Sequence, residues 1–165
     1  MSMKEYKLTI ERLHQVLDYN QETGVFIWKH RDRWKNTIGQ VATKPFMYDY
    51  LSVYIDGYRY PAHRLAWLYA NGEWPEIIDH VNGCKTDNRI INLRSVSAKI
   101  NTQNIRKARK NNSTGLLGVY FYRGNYKACI RKDGKSLHLG TFPCKESAYG
   151  AYLQAKRKYH DGCTL

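Results

Sequence analysis

The sequence predicts an α+β fold in two small units, and three observations carry that prediction. Thr9 to Tyr19 places apolar residues at helical spacing. Tyr50 to Ile55 alternates with period two ahead of an Asp56-Gly57 turn. Beyond Gly115, three short strand-like runs precede one long helical stretch. At 165 residues the chain suffices for one ordinary domain or two small ones, and two small ones each bury a thin core.

In the first unit, Ile10, Leu13, Val16 and Leu17 give an apolar face to a helix running from Thr9, its candidate N-cap, to Tyr19. Gln21-Glu22-Thr23-Gly24 ends it, Val25-Phe26-Ile27-Trp28 reads as a strand, and a basic polar loop follows through Lys35. Leu51, Val53 and Ile55 then face a core, while Tyr50, Ser52 and Tyr54 face a binding partner or solvent, and Tyr58 to Ala62 returns as a hairpin strand. His63 to Ala70 is a short helix that packs through Leu65, Leu68 and Tyr69 and stops at Asn71-Gly72. Ile77-Ile78 leads as a strand into Asp79, Asn82-Gly83 turns, and Ile90 to Leu93 returns. Ser95 or Ser97 caps a helix from about Ala98 into Arg106 or beyond.

The chemistry concentrates in Ile78-Asp79-His80-Val81-Asn82-Gly83, followed by Asp87-Asn88-Arg89-Ile90-Ile91-Asn92-Leu93-Arg94 and then Asn101. An Asp beside a His, with amides downstream, offers a hard oxygen ligand, a base that works near neutral pH and an orienting partner. Asn92 lies 12 residues after His80, and Asn101 lies 9 after Asn92. The set resembles the active-site core of HNH endonucleases, in the zinc-free subgroup found among phage homing endonucleases. That resemblance implies a ββα-metal core that hydrolyses phosphodiester bonds of double-stranded DNA. It makes Asp79 a metal ligand, His80 the base that activates water, Asn92 the residue that steadies His80, and Asn101 the second metal ligand. With two protein oxygens, phosphate and water complete an octahedron, which suits Mg2+, with Mn2+ as a substitute. Asn82, Asp87 and Asn88 shape the intervening loop through Asx turns, and Asn104 stands one turn after Asn101. Arg64 touches a phosphate or serves structure, and His63 is packed or functional. Arg94 and Lys99 hold the scissile strand or face solvent.

Arg106-Lys107-Ala108-Arg109-Lys110 opens a polar stretch that reads as a solvated hinge or as an arm tracking phosphates, and its charge density favours the arm. After it, Gly118 to Tyr122, Tyr126 to Arg131 and Ser136 to Phe142 make three strands, closed by a helix from about Lys145 to His160. That helix gathers Ala148, Ala151, Tyr152, Ala155 and Tyr159 on one face. Gly118-Val119, Tyr126-Lys127-Ala128-Cys129-Ile130-Arg131, Gly134-Lys135, Leu139-Gly140-Thr141-Phe142 and Ala148-Tyr149 together resemble an AP2 DNA-binding domain over residues 115–162. In that family the outer face of a three-stranded antiparallel sheet, packed on one helix, enters the major groove. Alternation turns Tyr120, Tyr122, Lys127, Cys129, Arg131, Ser136 and His138 outward, with Arg123 in the first turn. Val119, Phe121, Ala128, Ile130, Leu137 and Leu139 turn toward the helix. Cys144 stands where a capping Thr is usual, a change costing on the order of 1 kcal/mol.

Charge agrees with a polyanionic partner. The chain holds 27 Lys and Arg against 14 Asp and Glu, a net of +13. Residues 1–101 carry 14 basic and 11 acidic side chains, a net of +3, whereas residues 102–165 carry 13 and 3, a net of +10. The second unit is thus the expected electrostatic anchor. Cys84, Cys129, Cys144 and Cys163 form no C-x-x-C pair, which argues against structural zinc and against a disulfide framework. No leader or membrane-spanning run is visible, so the expectation is a cytoplasmic protein, by the resemblance a phage protein in its host cell. No heptad is present, which favours a monomer and leaves dimerisation open. The expected plan is a nuclease domain over 1–105 with its core at about 63–105, a basic linker over 106–114, and an AP2-like domain over 115–165. The function expected is site-selective nicking or double-strand cleavage of DNA. The alternative is a DNA-binding regulator that keeps an inactive nuclease fold.

Overall fold

The computed structural model describes residues 8–29 and 37–165, so most of the basic loop expected through Lys35 lies outside the described residues. The chain divides into two compact units between Ser95 and Val96, ahead of the boundary near residue 105 that the sequence suggests.

In the first unit, α1 covers Ile10–Val16, and Thr9 Oγ1 accepts a hydrogen bond from Arg12 N at 3.3 Å. The helix expected to reach Tyr19 ends here instead. Leu17–Asn20 forms strand β1, paired antiparallel with β2, Val25–Trp28. Leu17 and Tyr19 are buried while Asp18 and Asn20 are exposed. That period-two burial, together with the ladder to β2, outweighs another helical turn whose apolar residues already had a core to enter. Asn20 Oδ1 accepts from the backbone N–H groups of Glu22 and Thr23 at 3.0 and 2.9 Å, closing the turn as an Asx motif.

Strands β3 (Lys44–Pro45), β4 (Leu51–Ile55) and β5 (Tyr58–Pro61) make an antiparallel sheet in that order. Asp56 and Gly57 take φ of 48° and 84°, the pair of left-handed residues that a two-residue hairpin turn requires. Val53 and Ile55 are buried as expected, and Tyr54 is exposed, but Ser52 on the tyrosine side is buried as well. Between β3 and β4, the turn at Met47–Asp49 holds Tyr48 at φ 56° and Asp49 at φ 65°. Left-handed backbone costs a side-chain-bearing residue roughly 1–2 kcal/mol. Helix α2 (Ala62–Asn71) buries Ala62, Leu65, Ala66 and Leu68 and stops at Gly72. These residues, with Leu13, Leu17, Phe26, Val53, Ile55 and Leu93, form one core. Against it lie β6 (Ile78–His80) and β7 (Leu93–Ser95), antiparallel, with Asp79 opposite Arg94 and His80 opposite Leu93. The return expected to begin at Ile90 starts with a 3₁₀ turn over Ile90–Asn92, because Ile90 N donates to Gln21 O at 3.1 Å rather than to a β6 partner.

In the second unit, α3 covers Ala98–Gln103 and is capped by Ser97. It is shorter than the helix into Arg106 or beyond that the sequence suggests. The tail takes its continuation: Gly162 N donates to Gln103 Oε1 at 3.0 Å, Thr164 Oγ1 donates to Asn104 Oδ1, and Arg106 Nη2 donates to Thr164 O at 3.1 Å. Lys156, only 1% exposed, donates through Nζ to Ile105 O. Residues 104–106 therefore hold the tail and accept from Lys156 of the long C-terminal helix, which is why α3 groups with this unit.

Residues 106–114 form neither helix nor strand, and Asn112 Oδ1 ties down the backbone N–H groups of Thr114 and Gly115, both at 2.9 Å. Strands β8 (Val119–Tyr122), β9 (Asn125–Lys132) and β10 (Lys135–Phe142) make an antiparallel sheet in the order β10-β9-β8, with α4 (Lys145–Tyr159) packed on it. Val119, Ala128 and Ile130 meet Ala148, Tyr152 and Ala155 in the core. Gly118 has φ 70°, and a Cβ there would stand 2.1 Å from the Tyr152 ring, so only glycine lets β8 begin under α4. Two residues expected to face the helix do not reach it. Phe121 is 56% exposed and Leu137 is 40% exposed, because both sit on edge strands outside the strip that α4 covers. Cys144 makes no side-chain cap bond. Counted by unit, residues 1–95 hold 13 basic and 11 acidic side chains and residues 96–165 hold 14 and 3, nets of +2 and +11. Among the described residues no helix is long and apolar enough to cross a membrane, and all four cysteines are free thiols.

Candidate active site

Strand β6 delivers Asp79 and His80 side by side, both buried. From β7, Arg94 reaches Asp79 Oδ2 through Nε at 3.0 Å and Nη2 at 2.7 Å. Arg94 thus pairs with the carboxylate expected to bind metal. Helix α2 places the His63 ring 5.2 Å from the His80 ring. Tyr50, just before β4, lies 4.9 Å from His63 and 5.9 Å from His80. Lys85, from the loop after His80, sets its ammonium 5.0 Å over the Tyr50 ring.

The amides divide differently from the expectation. Asn92 Oδ1 accepts from Asn82 N at 2.9 Å, and Asn92 Nδ2 donates to Asp87 O at 2.8 Å, so Asn92 laces the loop from 81 to 92 across its own backbone. The side chain beside the imidazole is Asn88, 1% exposed, whose Oδ1 lies 3.5 Å from His80 Nε2, the long edge of hydrogen-bonding distance. The reason is local. Asn92 ends the 3₁₀ turn just before β7 and faces backbone groups of the loop, while Asn88 is pressed inward. The β1–β2 hairpin presses it: Tyr19 Oη donates to Asn88 O at 2.6 Å, and a Cβ on Gly24 would stand 2.6 Å from Arg89 N. Asn82 and Asp87 shape the loop as expected. Asn82 Oδ1 accepts from Cys84 N at 2.8 Å, and Arg89 grips Asp87 and holds its carboxyl below the usual carboxylate range.

Burial pushes the His80 imidazole below its ordinary pKa, opposed by Asn88 and by the charge of Asp79. His63 is pushed down to about 3, first by burial and then by the neighbouring His80 and Arg64. Its Nδ1 is buried without a hydrogen-bond partner. Burial, reinforced by Asp79, raises the Tyr50 phenol. The centre thus holds two neutral imidazoles and a neutral phenol near neutral pH, a setting in which His80 can accept a proton.

The remaining predicted residues fall into two groups. Arg64 donates to the carbonyls of Glu76 and Pro75 and lies 5.9 Å over the Trp74 ring. Arg106 is engaged with Thr164, not turned outward as an arm residue. Lys99 meets Asp133 at 3.3 Å in full solvent, and Asn101 is exposed on α3 in the second unit. Lys107, Arg109 and Lys110 are exposed. The outward row exists: Tyr120 and Tyr122 are about half exposed, Lys127 Nζ sits 3.8 Å over the Tyr122 ring, and Arg123 lies 5.2 Å from it. Arg131 and His138 are exposed, with Arg131 Nε donating to Gly134 O at 3.3 Å and His138 Nδ1 lying 3.7 Å from Cys129 Sγ. Tyr50, Lys85 and Asn88 join the site without having been expected there. Asn88, beside Asp87 in the same loop, carried a signal by residue type, whereas Tyr50 and Lys85 reach the site only through folding.

Among the described residues no group of three or more His, Cys, Asp or Glu stands together to hold a metal. Among the described residues Asp79 is the one buried carboxylate. That sparse set fits a hard divalent ion that keeps most of its ligands as water and substrate phosphate, and does not fit an all-protein cage. No curated protein and no solved structure matches the chain. Residues 60–103, which run from β5 through α2, the Asp79-His80 strand and its partner into α3, match the family model of HNH endonucleases, a family of DNA nucleases that generally use a divalent metal.

Proposed function

We propose that the protein is a phage-type HNH homing endonuclease that cuts double-stranded DNA at selected sites with a divalent metal, Mg2+ or Mn2+. The observation that carries this reading is the buried Asp79-His80 pair on β6, set in a segment that matches the HNH family. His80, with Asn88 Oδ1 beside its Nε2, is the base that takes the proton from the attacking water. Asn92 holds the loop so that His80 keeps its place. Asp79 supplies the anionic ligand, and Asn101 is carried as the second on the strength of the resemblance alone. A divalent ion at Asp79 would polarise the scissile phosphate and neutralise the leaving 3′ oxygen. The sheet and helix over 115–165 act as an AP2-like module that selects the site, with Tyr120, Tyr122, Lys127, Arg131 and His138 toward DNA and Lys107, Arg109 and Lys110 along phosphates. Such a chain works as a cytoplasmic monomer that nicks one strand per binding event.

The test is nicking of supercoiled plasmid and phage DNA with magnesium or with chelator. His80→Ala should slow single-turnover cleavage by roughly 10²–10⁴-fold while DNA affinity stays close to wild type. Asp79→Ala and Asn101→Ala should each raise the magnesium concentration for half-maximal rate. Wild-type cleavage by His80→Ala, or unchanged metal titrations in both ligand variants, would remove the site assignment. The rival reading is a DNA-binding regulator with a silent nuclease fold. It draws on Arg94, whose guanidinium already occupies Asp79 Oδ2, and it predicts tight binding without magnesium-dependent nicking in the same assay.

A further inference from the structure

The turn at Met47–Asp49 serves no core. Tyr48 and Asp49 both hold left-handed backbone, though neither is glycine, and the turn leaves Met47 58% and Tyr48 75% exposed. Such backbone persists where its surroundings over-determine it, and these places cluster at functional sites. The surroundings here are specific. Phe46 N donates to Tyr50 O at 2.7 Å, Tyr50 N donates to Met47 O at 3.3 Å, and Lys85 Nζ donates to Tyr48 O at 2.9 Å. Lys85 comes from the loop that follows His80, and Tyr50, which ends the turn, lies 5.9 Å from His80. The turn is therefore the rim of the candidate active site, held in place by the catalytic loop itself.

We propose that Met47 and Tyr48 form a wedge that enters duplex DNA beside the scissile phosphate and unstacks a base step there. The proposal rests on the nuclease reading, because it is His80 that brings DNA to this rim. A phosphate within reach of His80 carries its flanking minor groove, about 6 Å wide, over a side chain anchored two residues from Tyr50. Apolar side chains pushed between base steps are a recurrent way for proteins to kink a duplex. Charge favours this occupant over a second protein: exposed Lys44 precedes the turn, Lys85 braces it and Arg59 lies 5.5 Å over the Phe46 ring, while Asp49 is the turn's own carboxylate and Asp79, near Tyr50, is paired with Arg94. The braced backbone presents both side chains without first having to be ordered, which lowers the cost of insertion.

Unstacking a step unwinds the helix, so the full-length protein can be tested on covalently closed plasmid in chelator, relaxed by a metal-independent topoisomerase. Wild type should shift the topoisomer distribution in proportion to bound protein. Tyr48→Ala should cut the shift per bound protein about threefold or more, and Tyr48→Trp should keep it. Tyr48→Gly should lose the shift while its thermal midpoint holds or rises, since glycine accepts this backbone freely. That variant separates loss of the wedge from loss of the fold. No shift with wild type, or a shift as large as wild type's in both Tyr48→Ala and Tyr48→Gly, overturns the proposal. So does a wild-type dimer that Tyr48→Ala abolishes, because the turn would then be a self-association surface. A wild-type shift without magnesium-dependent nicking would support the wedge and sink the nuclease reading.

Discussion

Asn88 and Asn92 are four residues apart and do different work. Asn92 satisfies one backbone donor and one backbone acceptor of its own loop, while Asn88 puts an oxygen beside His80. Near-isosteric changes separate the two. Asn92→Asp loses the donor to Asp87 O and should cost roughly 1–3 kcal/mol, the price of an unmet buried group, read as a lower thermal midpoint with the pH–rate curve in place. Asn88→Asp puts a carboxylate by the imidazole, stabilises its charged form and should move the acid limb of the pH–rate curve upward. The reverse pattern would return the imidazole's partner to Asn92. His63 yields a second expectation. Its folded pKa is depressed to about 3 from an ordinary 6.5, so the unfolded chain binds the extra proton between those values. The stability from a neutral His63 is complete above about pH 6.5 and drains as pH falls through that window, by up to about 1.4 kcal/mol per pH unit. His63→Gln should flatten this part of the stability curve in urea titrations run from pH 7 to 4. An unchanged slope would mean that His63 ionises freely.

At the scale of elements, the legible parts are those whose signals are local. Asp56-Gly57 and Asp133-Gly134 fix hairpins through their own backbone preference, with φ of 48° and 84° in one and 47° and 79° in the other, and the structure pairs the strands on either side accordingly. Gly72 stops α2 where expected. The misread parts depend on distant partners. Ile10, Leu13, Val16 and Leu17 fit a helix in isolation, and only the arrival of β2 makes Leu17 the first residue of a strand. The end of α3 is decided by Gly162 and Thr164, far along the chain, where a Cβ at position 162 would stand 2.3 Å from Ile100 O. Lys156, buried in α4, finds its acceptor at Ile105 O, fifty-one positions earlier, so nothing nearby in sequence announces that bond. The site follows the same rule. Asp79 and His80 are readable from adjacency and spacing, whereas Tyr50 and the Arg94 pairing emerge only when β4 and β7 are in place.

Across the whole molecule, charge is divided as unevenly as structure, +2 over residues 1–95 and +11 over residues 96–165. If the basic segment and the exposed sheet carry phosphate binding, affinity must fall with salt by about 0.9 log units per log unit of salt for each phosphate bound. Arg106 is unsuited as a probe because it holds Thr164. Lys107, Arg109 and Lys110 are exposed, and replacing all three with Ala in the full chain should make the salt slope shallower by about 0.9 for each phosphate no longer neutralised. Competition binding over a salt series measures it. An unchanged slope would take the segment off the DNA. Cutting the chain after Arg106 is a poorer experiment, since it strips α3 of Gln103's and Asn104's partners in the tail and disturbs Asn101 along with the charge.

The β1–β2 hairpin sets how far the segment that matches the HNH model can be transplanted. Tyr19 Oη and Gln21 O hold Asn88 and Ile90 from some seventy positions earlier in the chain, and Gly24 is bare so that the loop can lie against it. A graft that begins at residue 60 would carry every residue assigned to chemistry and leave behind the surface against which one of them is pressed. The smallest donor piece that preserves the imidazole's surroundings therefore has to reach back past Tyr19, and any swap into another chain would have to move the hairpin and the loop as one.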